Sequence, residues 1–388
     1  MLLRVSLSFI LLTVLPPAAL HLLLPRSVSK RWRWLGIWLP TLALLVSVLF
    51  LFFGAGYVSL TPSVWRTRLL TVIFCVGMTE LVLAAFLALG RLFGQKAGKG
   101  FLAAGCVLAA VVLSVFIYGL TEGQQRFVTR SFVVTDDRIP AAFDDYRIAI
   151  VSDLHVGTHH GDTAAINGMV QAVNATKPDL ICIVGDVVNF SNEEFAEFLP
   201  QLSRFKATDG VISVMGNHDY PDYQKWDDTA AEAAHARRLQ DLERQAGWHI
   251  LTNSHHIIRR AGDSIVIAGC ENDSPPPRRG RGDIHKALIG TDHRAYRILL
   301  THDPTHWRRA VVGKTDIPLT FSGHTHGMQL VLPGGWSPAV LVFPEWSGLY
   351  TNGQQRLFVT TGIGTALLPM RLGAWPETAV CTLRHVDG

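Results

Sequence analysis

Cysteine is scarce in this chain of 388 residues: there are five, at positions 75, 106, 182, 270 and 381, and none stands in a paired spacing. That excludes a disulfide framework and a thiolate metal site, and leaves these residues as small apolar groups. Charge is thin as well, 17% Asp, Glu, Lys and Arg, and it is nearly missing from four stretches in the first third, 5–24, 35–60, 69–89 and 101–120. A soluble helical domain would carry charge on its outer faces, so the gap argues against one. Each stretch is instead long enough to cross a hydrocarbon layer about 30 Å thick as a helix. No small-x-small cleavage site clearly follows the first stretch, which favours an uncleaved helix over a signal peptide, although Pro16, Pro17 and His21 weaken it. Glu80 is the acidic residue inside these runs, read as protonated or snorkelling and given no catalytic role.

Short basic loops separate the stretches: Arg26, Lys30, Arg31 and Arg33, then Arg66 and Arg68, then Arg91, Lys96 and Lys99. Trp32, Trp34, Trp38 and Trp65 lie near these ends, where indole rings favour the membrane interface. The first and third loops hold more cations than the opposite side, where Arg4, Arg66, Arg68, Arg126 and Arg130 fall. The positive-inside rule therefore puts the N-terminus and everything after the last span outside the cytoplasm, with a bacterial inner membrane as the expected location. The expected organisation is a transmembrane region over 1–120, a connector over 121–144 whose extended stretch 132–134 is placed to pair at a sheet edge, and a catalytic domain over 145–388.

The catalytic domain is announced by five short strings rich in oxygen and nitrogen donors. They are Asp153 with His155, Gly185 with Asp186, the run Gly216, Asn217, His218 and Asp219, then His302, and finally Gly323 with His324 and His326. A pair of divalent ions about 3.5 to 4 Å apart needs a carboxylate that bridges them, with imidazole, carboxylate or amide oxygen in the remaining positions. Each string follows a short apolar, β-rich run, at 149–151, 180–184, 211–215, 298–300 and 317–321, and open α/β sheets place sites at strand carboxyl ends. Alone, Gly-Asp reads as a turn and His302 before Asp303 and Pro304 as a helix start. Their order and common strand context make coincidence a poor account. Helical spacing over 162–176, 192–205 and 230–245, between the strands, supports an α/β class.

From Asp145 to the C-terminus the chain resembles the calcineurin-like metallophosphoesterase superfamily, whose blocks D-x-H, G-D, G-N-H-D/E, H and G-H-x-H occur here in that order. The resemblance implies a four-layer α/β/β/α sandwich with two mixed sheets. It also implies that Asp153, His155, Asp186 and His326 hold one ion and Asp186, Asn217, His302 and His324 the other, with Asp186 as the bridge. His218 is then left to face the substrate and protonate a departing oxygen, with Asp219 beside it to orient the ring. A water shared by the two ions would be the nucleophile, attacking phosphorus in line. Manganese, zinc and iron all suit this donor set.

Two further segments bear on substrate. A proline-rich loop over 274–282 exposes Arg278, Arg279 and Arg281, either as a solvated loop or as an attractor of phosphate and anionic headgroups. His255 and His256 sit in a paired-strand pattern and read as structural. The tail from Gly348 to Glu377 resembles the membrane-associated branch that includes YkuE-like and transmembrane metallophosphoesterases, and there Arg371 either contacts substrate phosphate or pairs with Glu377. The leading expectation is a membrane-anchored dimetal phosphoesterase partnered by the lipid bilayer and a phosphorylated substrate, with lipid-linked phosphoesters and pyrophosphates implied by the branch it resembles. Similar members hydrolyse UDP-2,3-diacylglucosamine at its pyrophosphate, a reaction on the cytoplasmic side that sits in tension with the topology above. The alternatives are a broad phosphodiesterase or phosphomonoesterase on soluble esters, and a non-catalytic metal-binding scaffold. No nucleic-acid partner is expected.

Overall fold

The computed structural model describes residues 2–24, 29–53, 64–220, 228–276 and 280–387. They form two compact units, Met1–Thr121 with Leu367–Met370, and Glu122–Ala366 with Arg371–Gly388.

The first unit is helical: α1 (Leu2–Leu23), the single turn α2 (Lys30–Arg33), α3 (Leu39–Phe53), α4 (Val64–Leu92) and α5 (Gly94–Thr121). Segments Ser6–Leu23, Thr67–Leu92 and Ala97–Gln125 are long and apolar enough to cross a membrane, and Trp34–Leu49 forms a shorter apolar helix. The first expected span holds as a helix through Pro16 and Pro17. The second, 35–60, is helical as far as Phe53, and residues 54–63 lie outside the described residues. Phe9, Val48 and Ile73 make one small core and Leu20, Ala84 and Leu87 another. Leu11, Leu42, Val72, Val107 and Val111 point outward, as apolar side chains do where the solvent is lipid.

The second unit holds two mixed sheets of six strands. One runs β1 (Val128–Asp136), β12 (Glu377–His385), β2 (Arg147–Val151), β3 (Leu180–Ile183), β4 (Val211–Ser213), β5 (Trp248–Ile250); the other runs β10 (Gly348–Asn352), β11 (Gln355–Val359), β9 (Leu319–Ser322), β8 (Tyr296–Leu300), β7 (Asp263–Gly269), β6 (Ser254–Arg260). Strands β2 to β5 are mutually parallel, and so are β7, β8, β9 and β11.

Strand periodicity divides the core. Ile148, Ile150, Leu180 and Cys182 face the second sheet and meet Ile265, Ile267, Ile298, Leu300 and Phe321 there. Their neighbours Ala149, Val151, Ile181 and Ile183 face the other way, onto α6 (Thr163–Ala175), α7 (Asn192–Leu202) and α8 (Thr229–Gln245), because successive residues of a strand point to opposite faces. The outer layer over the second sheet is thinner than a full helical layer, built from the turn α9 (Ile284–Ala287) and the one-turn helix Trp307–Val311. Within residues 121–144, the extended stretch 132–134 expected to pair at a sheet edge lies in β1, which pairs in parallel with β12 over its whole length.

Candidate metal centre

Each donor string leaves the carboxyl end of a buried strand, and the chain turns abruptly there. Asp153, His155, Asp186, His324 and His326 all have left-handed backbone, with φ of 54°, 42°, 56°, 73° and 51°. Non-glycine residues rarely adopt that region, and clusters of them mark functional sites held by the surrounding fold. Neighbouring glycines admit the close approach: a Cβ at Gly216 would lie 2.2 Å from Asp186 Oδ1, and one at Gly323 2.5 Å from Asp153 Oδ2.

Two groups of donors result, Asp153 with His155 and His326, and Asp186 with His302 and His324, the donor atoms of each lying within 4.8 Å of one another. His326 Nε2 is 3.2 Å from Asp153 Oδ1, and His324 Nδ1 is 3.2 Å from His302 Nε2. One oxygen connects the groups: Asp186 Oδ2 lies 3.1 Å from His302 Nε2 and 3.7 Å from His155 Nε2. Asn217 is buried between Gly216 and His218, whose amides donate to Asp219 and to Asp186 Oδ1 at 2.8 Å each.

The cluster draws positive charge. Burial alone would raise Asp153 and Asp186, but the surrounding imidazoles hold both below the usual carboxylate range. Burial opposes protonation of His302, yet the Asp186 charge pushes it up to about 10. Burial, with His218 and His326 nearby, keeps His155 well below its ordinary value. Buried carboxylates surrounded by converging imidazole nitrogens are the donor set of a first-row divalent cation, and the residues fit a pair of such ions.

His218 Nδ1 lies 2.7 Å from the Asn189 carbonyl, and its ring meets the edge of His155 at 5.0 Å. The carbonyl requires a proton on Nδ1, and burial lowers the His218 pKa. Asn189 therefore orients this ring. The expectation that Asp219 does so is corrected: its carboxylate accepts from the amides of Asp186, Val187, Val188 and Gly216 at 2.7 to 3.1 Å, which ties the Asp186 loop to the loop after β4. Asp219 adjoins His218 in sequence, but the strand-end turn sends the two side chains to different partners.

Arg371 is completely buried, and its donors go to the carbonyls of Thr361, Gly364 and Ala374 and toward His326. Glu377 pairs with Arg130, Nε to Oε2 at 3.0 Å, rather than with Arg371. Of the basic loop, Arg278 and Arg279 lie outside the described residues; Arg281 stacks on the Tyr220 ring at 4.2 Å. His255 Nδ1 meets the Ala287 carbonyl at 3.0 Å and the His256 ring lies tilted against that of His249, centroids 4.6 Å apart, both within the β6 region and apart from the two donor groups. Asp303 escaped the sequence reading: it is buried, with Oδ2 3.9 Å from His324 Nε2. Its place directly after His302 was the available signal.

Two mixed six-stranded sheets whose strand ends converge on paired carboxylate and imidazole groups have the architecture of a metallophosphoesterase. The family model for calcineurin-like phosphoesterases matches residues 146–328. A Helicobacter pylori metallophosphoesterase is 30% identical over 294 residues, covering 74% of this chain and 72% of that protein. YkuE of Bacillus subtilis is 28% identical over 298 residues, 74% of this chain and 95% of its own length. A zebrafish (Danio rerio) transmembrane protein with metallophosphoesterase domain is 29% identical over 292 residues, 72% of this chain and 62% of that protein, so the chain spans less than two thirds of it. The chain belongs to the calcineurin-like phosphoesterase family, and its long apolar helices make it a membrane protein.

Proposed function

We propose that the protein hydrolyses a phosphoester or diphosphate bond in a substrate presented at a membrane, with Asp153, His155, Asp186 and His326 holding one divalent cation and Asp186, Asn217, His302 and His324 the other. The observation that carries this reading is the position of Asp186 Oδ2, within 3.1 Å and 3.7 Å of imidazole nitrogens from the two groups. Bound there, two cations would supply a water of lowered pKa and neutralise charge on the phosphoryl oxygens. The protein's part is placement. Asp186 spans the two groups, and Asp219 fixes the Asp186 loop through four backbone amides. His218 lies against His155 with its Nδ1 proton given to the Asn189 carbonyl, and it delivers a proton to the departing oxygen from Nε2 of the imidazolium, the form that the Asp186 charge and the Asn189 carbonyl favour against burial.

Spans in the same chain favour a lipid-linked substrate over a free one. The test is metal-supplemented turnover of the purified full-length protein against lipid diphosphates, phospholipids, nucleotides and simple phosphate esters. Preference for the lipid arms supports the reading. Equal turnover of all arms leaves a broad esterase with a membrane anchor, and no turnover of any arm with manganese, zinc or iron refutes the enzyme.

A further inference from the structure

One guanidinium fastens three pieces of the wall around a single donor group. Arg371 Nε donates to the Gly364 carbonyl at 2.8 Å, Nη1 to the Ala374 carbonyl at 2.8 Å and Nη2 to the Thr361 carbonyl at 2.9 Å, while Nη2 also lies 3.3 Å from His326 Nδ1. The segment so gripped is bonded directly to the end of β2, with Ile363 N donating to the Ser152 carbonyl at 3.0 Å and Gly364 N to the Asp153 carbonyl at 2.7 Å. It also packs on the Asp153 side chain closely enough that a Cβ at Gly362 would fall 2.6 Å from Asp153 Cβ. Arg371 thus reaches Asp153 through that segment and His326 by contact.

The other group is held by different means. Asp186 N donates to Asp219 at 2.7 Å, and His302 Nδ1 meets the Val184 carbonyl at 2.8 Å. None of the hydrogen bonds made by Arg371 among the described residues reaches Asp186, His302 or His324.

We propose that Arg371 is a positioning residue for one of the two cation sites, setting Asp153 and His326 at the geometry that site needs while the Asp186, His302 and His324 site is assembled without it. This rests on reading the two groups as cation sites. A planar fork with donors fixed in one plane can address several carbonyls at once, which a lysine ammonium on a flexible stem cannot. Partners that orient metal ligands from behind typically govern about 10- to 100-fold in metal affinity. A cation sealed in this wall is tolerable because carbonyls surround it and the Asp153 and Glu377 charges oppose the effect of burial.

The experiment loads detergent-purified full-length protein with Mn²⁺, removes excess ion, and compares ion content and electron paramagnetic resonance spectra of wild type, Arg371→Gln and Arg371→Lys. Wild type is expected to hold two ions per chain with the spectrum of a magnetically coupled pair. Arg371→Gln is expected to keep one, with the spectrum of isolated Mn²⁺ and at least about a 10-fold weaker second binding step. Arg371→Lys, which retains the charge and lacks the fork, should resemble Arg371→Gln, and it decides the matter if the glutamine variant does not fold. Two tightly held ions in either folded variant would overturn the proposal, as would loss of both from a folded variant, the pattern of a general structural brace. Wild type without a coupled pair would overturn the two-site reading beneath it, a result the variants cannot mimic.

Discussion

His155 and His326 face each other with their Nε2 atoms 3.1 Å apart and their rings 24° from parallel. At this spacing one neutral ring can donate to the other, and burial, with His218 and His326 nearby, keeps His155 well below its usual pKa, so a proton on both nitrogens is disfavoured. A divalent cation bound there would take the lone pairs of both nitrogens in place of that single hydrogen bond. Stripping metal with a chelator is therefore expected to lower the melting midpoint of the catalytic unit by about 5 to 10 °C, given a few kcal/mol of linked binding energy. Scanning fluorimetry with chelator, then with Mn²⁺ or Zn²⁺ restored, measures this; an unchanged midpoint would show that the pair needs no ion.

Asp186→Asn replaces a carboxylate whose Oδ2 lies near nitrogens of both groups. The amide keeps the shape but loses the charge and the symmetry of the two oxygens. Phosphoesterase turnover should fall by more than the roughly 100-fold that outer-sphere partners control, and metal content should fall with it. A variant with full activity would remove Asp186 from the bridging position.

His218→Ala should behave differently, because no cation depends on it. Metal content should match wild type while turnover drops by about 10²- to 10⁴-fold, the usual scale for a positioned general acid. The loss should be smaller for esters with a good leaving group, which needs little protonation. Equal losses for nitrophenyl and alkyl esters would argue against proton donation.

The donor residues were legible in the sequence because each follows a short β-rich run, and the strands that deliver Asp153, Asp186, Asn217 and His302 are present as β2, β3, β4 and β8. What stayed hidden depends on partners distant in the chain. Asp219 adjoins His218, yet its oxygens go to amides 31 to 33 residues away, and no local pattern announces that. Arg371 stayed open between a phosphate contact and a loop brace paired with Glu377, because a lone arginine near a glycine-rich turn carries no sign of its burial or of its carbonyl partners. Strand β1 was legible only at its centre, the extended stretch 132–134 expected to pair at a sheet edge: its burial pattern is largely exposed, and pairing with β12, some 249 positions on, sets its full length.

Asp219→Ala should destabilise the catalytic unit more than it changes any proton transfer. Four buried amides would lose their acceptor at once, and each unsatisfied buried donor costs about 1 to 3 kcal/mol. The expected result is a fall in melting midpoint of about 10 °C or more with weakened metal binding. If Asp219→Ala instead melts like wild type and alters only the pH profile, the carboxylate would belong to the chemistry after all.

Glu243 provides a pH handle away from the metal donors. It is completely buried, bonds the Ser213 hydroxyl through Oε2, and its other oxygen has no partner among the described residues. Burial, with the Asp219 charge adding to it, pushes its pKa up to about 8 from an ordinary 4.5. Between those values the folded chain keeps a proton that the unfolded chain releases, so stability is fully present below the lower value and declines as pH rises through the upper one, by at most about 1.4 kcal/mol per unit. Glu243→Gln has no proton to lose and should escape this decline. Metal affinity also varies with pH, but it affects both proteins alike, so the informative quantity is the difference between their midpoints at pH 5.5, 6.5 and 7.5. That difference should widen in favour of the variant as pH rises; midpoints that stay parallel would mean that Glu243 is ionised in the fold.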